Sequence, residues 1–99
     1  MYPTGMIKNT ATNRFHPVSF RQAPLPGGSD VPRYKSAGHH TTGFDTEKEA
    51  IEWVKDNANM ILVPNRYEWD GEGVPAMVDF FTEASLTDAV KAQAQPTPA

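Results

Sequence analysis

No cysteine occurs among the 99 residues, which excludes disulfide staples, thiolate metal sites and a cysteine nucleophile. Secreted domains of this size commonly depend on disulfides, so a cytoplasmic location is expected. Long apolar runs are missing too. The longest, Met60-Ile61-Leu62-Val63, falls far short of the roughly 18 residues that would span a bilayer, and no membrane partner is expected. The opening Met1-Tyr2-Pro3-Thr4-Gly5-Met6 lacks the cationic and apolar regions of a signal peptide. Histidine is scarce, with His16, His39 and His40 alone. Neighbouring residues on a strand point to opposite faces, so His39 and His40 are poorly placed to share an ion, and a zinc site wants three or four converging ligands. Neither a metal nor a cofactor is expected.

Catalytic signatures are equally thin. No Gly-x-Ser-x-Gly elbow is present. The glycine stretch Pro26-Gly27-Gly28-Ser29-Asp30 has neither the lysine nor the following helix of a phosphate loop. Glu68, Asp70 and Glu72 surround a turn and read as solubilising residues, with no burial there to tune a general acid. A small enzyme based on His39 or His40 is therefore the least favoured reading.

The net charge of −3 conceals an asymmetry. Residues 1–44 carry five cations against Asp30, and residues 45–99 carry four against eleven acids, giving +4 and −7. Two packed halves can neutralise each other, and linear segregation does not say which face a charge occupies.

One domain, 1–91, is expected, because about 100 residues support a single modest core. The tail 92–99, Ala-Gln-Ala-Gln-Pro-Thr-Pro-Ala, has too little apolar surface to offset its ordering entropy. The segment Ala23–Pro32 holds three prolines and two glycines and reads as an internal loop.

Helix 46–58 has the clearest signature. Thr46-Glu47-Lys48-Glu49 matches a capping box, with acids in the first turn where the helix dipole favours them. Ala50, Ile51, Val54 and Ala58 form an apolar stripe at helical spacing, and Asn57 or Asn59 can close the helix in the left-handed region. Ahead of it, 5–8 and 14–21 flank the turn-rich Asn9–Asn13 as a hairpin. Pro17 removes a ladder donor, which predicts an edge strand or a bulge there. A third extended segment spans 33–44. Beyond the helix, Met60–Val63 suits a buried central strand. Residues 66–69 and 74–81 flank Asp70-Gly71-Glu72-Gly73 as a second hairpin, with a helix starting at Pro75 as the competitor. Ser85 can cap a short final helix ending near Gln93. The expected fold is α+β, an antiparallel sheet of about five strands in the order β-β-β-α-β-β-β with one main helix packed across it.

The function these features favour is a non-enzymatic module working through another protein. Arg66, Tyr67 and Trp69 are the candidate contacts, since Trp, Tyr and Arg anchor interfaces and here flank a hairpin tip. The competing arrangement turns both rings into the core. The alternative function is binding of single-stranded nucleic acid through Arg14, Arg21, Arg33, Tyr34, Lys35 and His39, where cations would track phosphates and rings would stack on bases. An edge strand marked by proline could also pair two copies into a homodimer.

Overall fold

The computed structural model describes residues 2–23, 33–75 and 77–94. Of the loop expected over 23–32, Ala23 belongs to a strand and 24–32 lie outside the described residues; of the tail expected over 92–99, the first three residues continue a helix and the last five lie outside. Five strands and two helices follow one another as β1 (Tyr2–Asn9), β2 (Arg14–Ala23), β3 (Arg33–His39), α1 (Glu47–Lys55), β4 (Met60–Trp69), β5 (Val78–Phe80) and α2 (Glu83–Ala94). No described helix is long and apolar enough to cross a membrane.

The first hairpin forms where the turn residues place it. Asn9 Oδ1 accepts from the backbone of Ala11 at 3.0 Å and Thr12 at 3.4 Å, and Asn13 takes the left-handed conformation that asparagine tolerates. The expected helix forms as α1 with Thr46 as its N-cap, its hydroxyl accepting from Glu49 N at 3.2 Å. It ends earlier than expected. Asp56 caps it in the right-handed region, and neither Asn57 nor Asn59 is left-handed. Asn57 instead donates its side-chain amide to the Trp53 carbonyl at 2.7 Å, satisfying an end carbonyl without the αL turn. At α2 the cap is Thr82, not Ser85. Thr82 Oγ1 accepts from Ser85 N at 3.0 Å, and Ser85 Oγ accepts in turn from Thr82 N at 3.1 Å. The helix runs on to Ala94.

The sheet departs from the expected pattern in three ways. Its order is β4-β1-β2-β3-β5, and it is mixed, because β4 pairs with β1 in parallel. The cause is α1, which carries the chain back across the sheet after β3. A helical crossover returns the chain in the same direction, so β4 lies parallel to β1. Second, Met60–Val63 is not a central strand. It continues through Pro64 to Trp69 and forms an edge, where a missing donor is harmless. Third, residues 66–69 and 74–81 do not pair. β5 crosses to the far edge and pairs antiparallel with β3, Arg33 opposite Phe80 and Lys35 opposite Val78.

Pro17 was expected at an edge or bulge, yet it lies in the central strand β2, in unbroken register opposite Met6. The hydrogen-bond alternation explains this. Phe15 N donates to Phe44 O and Pro17 O accepts from His40 N, so odd residues of β2 direct their backbone groups toward β3. The pair of Pro17 with His40, one residue past the end of β3, thus keeps only the bond from His40 N, and the His40 carbonyl accepts from His16 Nδ1 at 2.7 Å instead.

Register partners share a face of the sheet. Ile7, Val18 and Phe20 lie on one face and form a core cluster with Val63 and Phe81, against which Tyr34, Tyr67, Trp69, Met77, Leu86 and Ala89 pack. The sheet curls around this core. Asp79 of β5 accepts from Asn65 Nδ2 at 2.6 Å and from the Tyr67 hydroxyl of β4, joining side chains from the two opposite edges. Thr4 and Met6 lie on the other face and are fully buried. There α1 buries Ala50 and Val54, and Arg66, register partner of Met6, reaches Glu47 of the helix at 2.8 Å.

Where β1 meets β4, Gly5 alone spans the gap between the pairs Thr4–Leu62 and Met6–Arg66. A Cβ on Gly5 would sit 3.0 Å from the Asn65 carbonyl oxygen and 3.3 Å from both Asn65 Cβ and Tyr67 Cε2. Gly5→Ala should therefore destabilise by about 1–3 kcal/mol through overpacking against backbone, read as a lower urea midpoint. Gly38→Ala, with nothing within 4 Å of its Cβ, should leave the midpoint within about 0.5 kcal/mol of wild type.

Candidate nucleic-acid interface

The α1 crossover covers one face of the sheet only over β4, β1 and part of β2. The same face of β2, β3 and β5 is left open. Its residues come in rows set by register. Arg21 lies opposite Lys35, and Lys35 opposite Val78; Ala23 lies opposite Arg33, and Arg33 opposite Phe80. Val78 is 59 % exposed and Phe80 58 %. The Arg33 guanidinium stands 5.3 Å from the Phe80 ring centroid, within cation–π range, and its buried Nε has no hydrogen-bond partner. Among the described residues, the ion pairs are Arg14–Asp45 and Arg66–Glu47, so Arg21, Arg33 and Lys35 have no acid beside them.

One row further toward the end of β3, the pair Ser19–Gly38 opens into a groove of about 320 Å³ walled by Tyr2, Pro17, Ser19, Ala37, Gly38, His39, His40, Trp53 and Met60. Its lining is mostly apolar. Trp53 is held at this wall by His40, at 4.9 Å between ring centroids, and by Phe44, at 6.0 Å. His40 in turn is oriented by Gly43 N, which donates to its Nδ1 at 3.0 Å.

The residues expected to bind nucleic acid are thus divided. Arg21, Arg33 and Lys35 share the open face. Tyr34 turns to the opposite face, 5.2 Å from Phe81 in the core. Arg14 clamps the loop after β3, donating to Thr42 O at 3.0 Å, Gly43 O at 3.0 Å and Asp45 at 2.5 Å. His39 shares the core face with Val18 and meets Trp69 at 5.4 Å and His16 at 6.1 Å. Of the candidate protein contacts, Arg66 is exposed and the two rings turn inward. Arg66 pairs with Glu47. The half-buried Tyr67 packs on Phe20 and bonds Asp79. Trp69, also half-buried, packs on His16 and donates Nε1 to Glu72 O at 2.9 Å. Tyr2, Val78 and Phe80 were missed. Their partners come from sequence positions more than 40 residues away, and no local pattern announces that pairing.

His39 and His40 do point to opposite faces, as alternation requires. His16, 3 % exposed, can bond the His40 carbonyl (2.7 Å) only by donating from Nδ1, leaving Nε2 bare, buried and unpaired. Gly43, at φ +73°, closes over this ring; a Cβ there would fall 2.7 Å from His16 Cε1. No three or more His, Asp or Glu side chains converge as metal ligands among the described residues. The chain matches no protein-family model, no curated protein and no solved structure.

Burial holds the His39 pKa below its usual value, and the neighbouring His16 and His40 add repulsion. A histidine with a lowered folded-state pKa stabilises the fold fully above its unfolded value of about 6.5. That stability is lost as pH falls from there through the folded pKa. The thermal midpoint should drop as pH is lowered below about 6.5, and His39→Gln should flatten the drop. An equally steep drop in the variant would assign it to other groups.

Proposed function

We propose that the protein is a non-enzymatic binding module that holds single-stranded nucleic acid across the open face of β2, β3 and β5. The observation that carries this reading is the row Arg21–Lys35 beside Arg33, none of them paired with an acid among the described residues, next to the exposed ring of Phe80. Like charges directly opposite on neighbouring strands repel, and a phosphate between them removes that cost. An exposed ring supplies a stacking platform at roughly 1–3 kcal/mol per base.

A protein partner is the second reading, favoured by the apolar pair Val78 and Phe80 on the same face. Such a partner would be anchored by Phe80 and Arg33, since Tyr67 and Trp69 are half-buried and bonded within the fold.

Fluorescence anisotropy of a labelled single-stranded oligonucleotide separates the two. Saturable binding should weaken with salt at a logarithmic slope of about −0.7 per phosphate held, so about −2 for three cations. Arg21→Ala with Lys35→Ala should bring the slope to about −0.7. Absence of binding at low salt, where the electrostatic contribution is largest, overturns the nucleic-acid reading and leaves the protein one.

A further inference from the structure

We propose that the groove between Trp53 and Tyr2 is a pocket for one nucleobase, whose 5′-phosphate is held by Arg21 and Lys35. This rests on the nucleic-acid reading and deepens it by assigning a defined site for a single nucleotide.

The groove and the cations are parts of one surface. Ser19 and Gly38 wall the groove and are register partners. Arg21 and Lys35 form the next same-face row, two residues along β2 from Ser19, a step of about 6.6 Å at strand rise. A ligand seated in the groove therefore has two cations, unpaired among the described residues, within reach on long, flexible side chains. Its own walls are apolar and aromatic. Tyr2 is 48 % exposed, and its backbone is fixed by its amide donating to Asn59 O at 2.8 Å. Trp53 is wedged by His40 and Phe44, so the wall is formed before any ligand arrives. Preorganisation of this kind spares the cost of ordering side chains on binding. The volume of about 320 Å³ lies at the lower end of small-ligand sites, about 300–1,000 Å³.

The occupant follows from charge and shape together. A purely apolar ligand would leave Arg21 and Lys35 unused, and a bare anion would leave the aromatic groove empty. A flat ring with a phosphate attached uses both. Ser19 Oγ already shares a hydrogen bond with Thr4 Oγ1 at 3.0 Å, so the walls offer stacking more than edge recognition. The pocket should accept purines and pyrimidines with little discrimination.

Intrinsic fluorescence tests this on the full chain, whose two tryptophans are Trp53 and Trp69; Trp69→Phe isolates the Trp53 signal. Adenosine 5′-monophosphate should quench it saturably, adenosine should bind at least fivefold more weakly, and inorganic phosphate should leave it unchanged. Trp53→Ala should weaken oligonucleotide binding about tenfold, the loss of one stacked base. Because Trp53 also touches His40 and Phe44, circular dichroism of that variant must match wild type. Tyr2→Ala is the second variant and should weaken the mononucleotide likewise. Oligonucleotide binding with no mononucleotide quenching, and with Trp53→Ala and Tyr2→Ala neutral, overturns the pocket while the face reading stands. Mononucleotide quenching without oligonucleotide binding upholds the pocket and overturns the polymer reading.

Discussion

Strand β1 is buried on both faces, and the rest of the fold is arranged to make that so. From Pro3 to Ile7 every residue is buried. Hydrophobic burial on two sides requires a layer on each. One side is supplied by α1 over Thr4 and Met6, the other by Phe81 and α2 near Ile7 and Val63. Placing α1 there obliges the chain to cross the sheet, and the crossing delivers β4 beside β1 in parallel. Gly5 lets the two backbones approach at the irregularity opposite Asn65. The edge β4 in turn supplies Asn65 and Tyr67, which hold Asp79 of β5 and curl the sheet.

The open face is a consequence of the same arrangement. A nine-residue helix, about 13.5 Å long at 1.5 Å per residue, cannot cover five strands spaced roughly 4.8 Å apart. What it leaves bare is the half made by β2, β3 and β5, where the cations of the N-terminal region happen to share parity. The groove marks the border between the covered and uncovered halves, with Trp53 from the helix as one wall. Arg14, by contrast, is removed from that surface because the loop after β3 presents two carbonyls and Asp45 to it. Its guanidinium serves the loop that closes over His16.

Local chemistry was legible in the sequence wherever the interaction spans only a few residues. Thr46 caps α1, Asn9 and Asn13 turn the first hairpin, and alternation sends His39 and His40 to opposite faces. Two prolines misled for opposite reasons. Pro17 suggested an edge but lies in the middle of the sheet, where the carbonyl its nitrogen would have bonded is taken by the His16 ring. Pro64 suggested the end of a central strand but sits inside an edge strand. In each case the missing donor is tolerated for a reason that lies in the neighbouring chain and not in the proline.

The sequence by itself determined the helix, the first hairpin, the absence of thiol chemistry and the interleaving of cations with aromatic residues in the N-terminal half, because each depends on neighbours in the chain. The tertiary structure alone decided which strands pair, that β5 lies beside β3, and that Arg21, Lys35, Arg33 and Phe80 share one surface while Tyr34, Tyr67 and Trp69 turn inward. Side-chain parity has a period of two. A register set across dozens of residues therefore decides whether a given ring becomes core or contact.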